Sequence, residues 1–424
     1  MFFALPAGAA TLINDTETER VLTELVAPLG RAANIPDGRL RVHIVNDDSF
    51  NAFVMGGEDV YIYTGLLTQI KSPDALQAVI AHELGHTLGG HTAQMSARMD
   101  AEMRRAMLIQ ALGVGLMVAG GNPSMGAGVL AGSSGVAQQS MLAFSRDEER
   151  IADNMGVDIM IRAQQNPNGF IEVFSQMRDI SGAMESRINP NRINHPLTDE
   201  RLKNVRERIA EKATGNVPDK KTSARRAAEY ELVRAKLTGY LATPQYIKTR
   251  YPQSDKSDAA IYARAISSMG AGDLGAAKTG VSTLISRNPE NPYFYELMGD
   301  VEYQRGDYDA SIAAYEKSLK FADNAPQIQT ALALVLTERK NDGDAAAAIE
   351  LCRRALLTEA HPLTYWVLAR AYDDGRADWA MAEYHNMTGH DQEARRAAKK
   401  ARKLLSPDTP EYIKAGDILR HNEK

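Results

Sequence analysis

The pair Gly272-Asp273 recurs as Gly306-Asp307, 34 positions later, and Pro292 recurs as Pro326 at the same interval. A period of that length belongs to units of two antiparallel helices, each too small to bury its apolar face alone, so the units must stack. The best-spelled unit reads Tyr295, Met298, Gly299, Tyr303, Gly306, Asp307, Tyr308, Ile312, Tyr315 and Leu319, with small and aromatic residues at fixed places. Pro362 follows Pro326 by 36 positions, so the next unit must absorb a short insertion. Residues 223–424 are therefore read as an all-α solenoid of three to four tetratricopeptide-type hairpins with a concave face.

The first half follows other rules. Leu40 to Val45 and Val60 to Thr64 are β-branched and aromatic runs bounded by Gly and Asp, which predict strands. Ser72-Pro73-Asp74 supplies an N-cap hydroxyl, a proline at the first helical position and an acid in the first turn, so a helix starts there and stops near Gly89-Gly90. Residues 11–214 thus form an α+β domain, mostly helical with a small sheet, and the charged, turn-rich stretch 215–222 links it to the repeats. A chain of 424 residues has room for this division, at about 150 residues per domain.

Composition narrows the chemistry. With 49 Lys and Arg against 54 Asp and Glu the net charge is −5, which leaves no electrostatic footprint for nucleic acid and excludes it as a partner. The single cysteine, Cys352, excludes a disulfide framework and any multi-cysteine metal site. Metal chemistry must rest on histidines and carboxylates.

Such a set lies inside the capped helix. His82-Glu83-Leu84-Gly85-His86 places two imidazoles four residues apart, on one helix face, where both can reach one zinc ion. Glu83, one position round, is placed to act as general base. Catalytic zinc takes a third protein ligand. His91 is one candidate, although the pattern H-E-x-x-H-x-x-G-x-x-H puts its last histidine where Thr92 stands. The other lies in Ser145-Arg146-Asp147-Glu148-Glu149-Arg150-Ile151-Ala152-Asp153, where Glu149 and Asp153 share a predicted helix face. Glu149 can ligate, with Glu148 as its competitor, while Asp153 accepts a hydrogen bond from the distal nitrogen of a ligating histidine.

These runs, with Asn51-Ala52-Phe53, Gly57, Gly65-Leu66-Leu67, and His195-Pro196 followed by Arg201, resemble the HtpX- and BepA-type zinc metallopeptidases, a gluzincin family, over most of residues 12–205. The resemblance implies His82, His86 and Glu149 as zinc ligands and Glu83 as catalytic base. It brings His195 near the metal, either donating to the oxyanion of the reaction or capping the zinc at rest, and gives Arg201 a structural ion-pair role. Ile151 departs from the family, which often has a second Glu there. The repeats narrow the likeness to the periplasmic BepA-like branch, implicated in quality control and assembly of outer-membrane proteins. The implied activity is an endopeptidase for misfolded or stalled polypeptides, with the strand Val60 to Thr64 holding substrate as an added β-strand. The alternative is a periplasmic chaperone or adaptor whose repeats bind clients or the outer-membrane assembly machinery, with proteolysis auxiliary.

Two further stretches carry expectations. Residues 1–10 end in the small-x-small form of a signal-peptidase site, Ala7-Gly8-Ala9, and read as the remnant of a secretory signal. From Ala106 to Ser145 there is no charge at all, which predicts an apolar helical hairpin, buried in the first domain or offered to lipid as a peripheral contact.

Overall fold

The structure, a computed structural model, describes residues 11–91, 145–184, 195, 198–213, 215, 217–322 and 324–421. The signal-like residues 1–10 and the charge-free stretch up to residue 144 lie outside these. The chain divides into two compact units, one built on Thr18–Arg234 and the other on Ala235–Lys424 together with Asn14–Glu17. Among the described residues no helix is long and apolar enough to cross a membrane.

The first unit has a four-stranded sheet. After β1 (Thr11–Ile13) and α1 (Thr16–Ala32) come β2 (Arg41–Asn46), β3 (Ala52–Met55) and β4 (Asp59–Tyr63), in the spatial order β1-β2-β4-β3. β2 and β4 are parallel, with Val42 opposite Val60 and Ile44 opposite Ile62, while β1 and β3 add on antiparallel at the two edges. Alternation sets the faces: Ile44, Val54, Val60 and Ile62 are buried on one side, and His43, Phe53 and Tyr61 stack, half-buried, on the other.

That order corrects one expectation. β4 is flanked on both sides, by β2 and by β3, so its backbone groups are already spent and it cannot accept substrate as a further strand. Among the described residues the free edge nearest the motif helix belongs to β3, which packs against that helix.

α2 (Thr64–Gln69) leads into α3 (Pro73–Leu88), and the predicted cap is present, with Ser72 Oγ accepting from the Ala75 amide at 3.1 Å. α3 is buried on nearly every side, the position of a helix that other elements surround. Its main neighbour is the Arg146–Arg162 helix. Two glycines let them close: a Cβ on Gly85 would lie 2.5 Å from the Ala152 carbonyl oxygen, and one on Gly156 would lie 3.0 Å from the His82 amide nitrogen. Because Gly85 meets Ala152 while the earlier His82 meets the later Gly156, the two helices run antiparallel. The helices Gly169–Met184 and Asp199–Lys212 and the first part of Lys220–Leu241, with Tyr230 and Val233 buried, also belong to the core of this unit.

In the second unit the helices from Asp258–Gly270 to Pro410–His421 pack each against the next. The sequence period has a local cause. Gly272 and Gly306 adopt φ of 79° and 77°, and the aspartate after each caps the following helix, Asp273 at the Ala276 amide and Asp307 at the Ala310 amide. The small residue at 299 is equally determined, since a Cβ there would meet the Tyr315 ring at 2.7 Å. The insertion before Pro362 is taken up at Lys340 to Gly343, where both ends turn left-handed and the next helix starts without a side-chain cap.

Candidate metal centre

The crossing of α3 with the Arg146–Arg162 helix brings the proposed residues together. His82, His86, Glu149 and His195 each offer one ligand atom, and these atoms all lie within 4.8 Å of one another. His82 Nε2 is 3.1 Å from His86 Nε2 and 3.3 Å from His195 Nδ1. Glu149 lies 3.5 Å from His82 Nε2, 3.4 Å from His86 Nε2 and 2.7 Å from His195 Nδ1. Four donors around one zinc at 2.0–2.1 Å form a tetrahedron with edges of about 3.3 Å. Most of the observed separations sit near that value.

The arrangement around these atoms favours a cation. Asp153 Oδ1 stands 2.9 Å from His82 Nδ1, the nitrogen turned away from the cluster. A carboxylate there keeps the imidazole proton on Nδ1 and leaves the Nε2 lone pair facing inward. Lone pairs and a carboxylate gathered in a buried space repel one another unless a positive ion lies among them. The donor set of nitrogens and one carboxylate oxygen suits zinc.

The electrostatics agree. Burial pushes the His86 imidazolium down to about 4, so the ring is neutral at physiological pH. Glu149 is penalised by burial, yet its contacts with His195 and His86 outweigh that and hold it well below the usual carboxylate range. Asp153 is lowered in the same way, through Arg201 and His82 against burial. Glu83, 6% exposed, is raised by burial, the direction that suits a carboxylate asked to hold a proton in transit. Burial opposes a charged His195, but Glu83 and Glu149 more than offset it, and its pKa is raised.

Each sequence candidate has a definite place. Glu149 lies in the cluster, whereas Glu148 is spent on the helix end: Ser145 and Glu148 form a reciprocal capping box, with the Ser145 amide donating to Glu148 Oε2 at 2.8 Å. His195 contributes Nδ1 to the cluster and turns Nε2 toward Glu83 Oε1 at 3.4 Å. His91 is not a member of the cluster; it lies buried just past the end of α3. It is 4% exposed, with its Nδ1 3.0 Å from His86 Nδ1. Arg201 is buried, pairs with Asp153 and reaches Glu149 Oε2 at 2.7 Å. That direct contact with a cluster carboxylate was not apparent from sequence.

Comparison with known proteins agrees with this geometry. Residues 13–209 match Peptidase family M48, and residues 299–338 match the TPR repeat. The chain is 27% identical to the beta-barrel assembly-enhancing protease of Yersinia pestis over 372 residues, 84% of this chain and 71% of that protein. It is 26% identical to the beta-barrel assembly-enhancing protease of Escherichia coli (strain K12) over 332 residues, 77% of this chain and 66% of that one. Among solved structures it is similar to a thermophilic TPR protein of Thermus thermophilus, with a TM-score of 0.26 and 16% identity over 47% of this chain and 94% of the other. Residues 13–209 are thus a Peptidase family M48 domain, that of a metalloendopeptidase, and the chain continues into tetratricopeptide repeats.

Proposed function

We propose that the chain is a periplasmic zinc endopeptidase that cleaves misfolded or stalled outer-membrane proteins; two of its relatives are named beta-barrel assembly-enhancing proteases. The observation that carries this reading is the convergence of His82, His86 and Glu149 beside Glu83 in one buried site. These three would hold the ion, which would supply the Lewis acidity for hydrolysing a peptide bond. Glu83 takes a proton from the attacking water and returns it to the leaving nitrogen, and burial, which raises its pKa, makes it the better holder of that proton. Asp153 and Arg201 hold the ligands in place. His195, with Nδ1 in the donor set, occupies the position a substrate carbonyl would need, which supports a resting, self-capped state.

Substrate enters as an extended chain along the β3 edge, which no described strand covers and whose backbone can bind it without reading its sequence. Such binding suits clients that share exposed strands and little else. Residues 11–214 are the catalytic domain in this reading, 215–222 the linker, and 223–424 the part that docks clients or the assembly machinery.

Glu83→Gln tests the proposal. The variant should keep one zinc per chain and lose about 10²-fold or more of its cleavage of an unfolded β-barrel protein. A chelator should abolish cleavage by the unaltered chain, and zinc should restore it. Full turnover by Glu83→Gln would overturn Glu83 as the base, whereas no cleavage by the unaltered chain would leave the adaptor reading in its place.

A further inference from the structure

α3 stops at Leu88, and the next three residues bring another imidazole back over the motif. Gly89 keeps right-handed backbone, φ −71°, and Gly90 turns left-handed, φ 71°. His91 is thereby folded onto His86, with Nδ1 to Nδ1 at 3.0 Å and the rings 5.2 Å apart at 71°. Both rings are buried, His86 completely. Gly89 makes the room: a Cβ there would lie 2.7 Å from both Cε1 and Nε2 of His91.

His86 turns Nε2 into the cluster. A ring that ligates through the Nε2 lone pair carries its proton on Nδ1, so Nδ1 is the donor and His91 Nδ1 the acceptor, with the His91 proton on Nε2. Asp153 stands at the same nitrogen of His82. We propose that His91 is a positioning residue of the metal centre, holding the tautomer and ring angle of His86 as Asp153 does for His82. The inference rests on the zinc reading above and adds to it a residue that is not a ligand. A neutral acceptor suits the place, because Glu149, Asp153 and Glu83 already bring three carboxylates into this small buried space.

Four variants of the full chain test this. Asparagine sets its Oδ1 where histidine has Nδ1 but lacks the atoms that correspond to Cε1 and Nε2. His91→Asn therefore keeps the acceptor, and His91→Leu removes it. Gly89→Ala keeps both histidines on an allowed backbone and drives the His91 ring away from His86. Zinc dissociation constants by chelator competition should weaken about 10- to 100-fold for His91→Leu and for Gly89→Ala, and stay within a few-fold of the parent for His91→Asn. Combining Gly89→Ala with His91→Asn should recover affinity, since the atoms that the new Cβ would strike are gone. The visible absorption of the cobalt-substituted proteins should follow the same order.

Parent-like zinc affinity and cobalt absorption in His91→Leu would overturn the proposal, as would a double variant no better than Gly89→Ala alone. Should His91→Leu fail to fold, the two Gly89 variants decide. Loss of zinc from His91→Asn as severe as from His91→Leu would make His91 a ligand and also overturn it. A parent chain that binds no zinc sinks the metallopeptidase reading itself, whereas a parent that binds it beside indifferent variants sinks this inference alone.

Discussion

Arg201 grips Asp153 with both prongs of its guanidinium, Nε and Nη2 each donating at 2.8 Å to a different carboxylate oxygen. Its remaining nitrogen, Nη1, lies 2.7 Å from Glu149 Oε2. One buried cation thus joins the carboxylate in the donor set to the carboxylate that orients His82. It arrives on the Asp199–Lys212 helix, shortly after His195, so the same stretch of chain delivers a cluster nitrogen and the charge that balances the cluster's acids.

Replacing Arg201 with Met keeps an unbranched apolar stem and removes the guanidinium, which lies over the Phe174 ring, together with its charge. Two buried carboxylates then lose their partner, and a loss of that kind costs about 3–5 kcal/mol. Arg201→Met should lower the melting temperature of the first unit and weaken zinc binding together. Unchanged melting would mean that the two acids find another partner, and the ion-pair account would fail.

Gly85 lies inside the motif but acts on the fold. In Gly85→Ala the new Cβ would lie 2.5 Å from the Ala152 carbonyl oxygen, so α3 and the Arg146–Arg162 helix must move apart. Overpacking of this sort costs about 1–3 kcal/mol. The same movement separates His82 and His86 from Glu149, so zinc affinity should fall further than stability alone implies. Calorimetry and chelator competition on one preparation would separate the two effects, and intact zinc affinity in a destabilised variant would count against the coupling.

How far the site could be read in advance depended on the range of each interaction. His82, Glu83 and His86 share one helical turn, so spacing and the Ser72 cap revealed them. Glu149 and Asp153 were found as a second four-residue spacing, while the choice between Glu148 and Glu149 needed the capping box that Ser145 makes with Glu148. The contact of Arg201 with Glu149 joins residues 52 positions apart across a helix crossing, and no local pattern encodes it. His91 was legible as a residue following two glycines, but not as a partner of His86, because the turn that folds it back depends on φ at Gly90. Strand order was the larger error: alternation located Val60 to Thr64 and could not tell that β3 would cover its outer edge.

His195 sits where either capping or catalysis would place it, and the two differ in sign. With Nδ1 held 3.3 Å from His82 Nε2 and 2.7 Å from Glu149, the ring would, in the resting state proposed above, compete with substrate for the cluster. His195→Ala should raise hydrolysis of a short peptide severalfold in the resting protein. A fall in kcat with unchanged KM would instead assign His195 to the transition state.

Lys236 in the second unit stands against three acids, 2.5 Å from Asp15, 3.3 Å from Glu296 and 3.4 Å from Glu17, with Tyr262 donating to Glu17 and with Asp300 and Tyr240 close enough to shift these groups. Burial works against a charged Lys236, but Asp15 and Glu296 overcome it and hold its pKa well above the ordinary value, so it stays charged at neutral pH. One cation cannot neutralise all the acids, and burial, only partly offset by Lys236, raises Glu296 to about 7. Glu17 is raised for the same reason. Between its ordinary value of 4.5 and about 7, the folded unit keeps a proton on Glu296 that the unfolded chain has released. Stability conferred by the protonated form is complete below that window and declines as pH rises through it. The thermal midpoint of the repeat unit should therefore fall from about pH 5 to about pH 8, and Glu296→Gln, which cannot ionise, should flatten the decline and leave the part due to Glu17. A midpoint that climbs over this range in the parent chain, or an identical slope in the variant, would show that Glu296 ionises as freely in the fold as outside it.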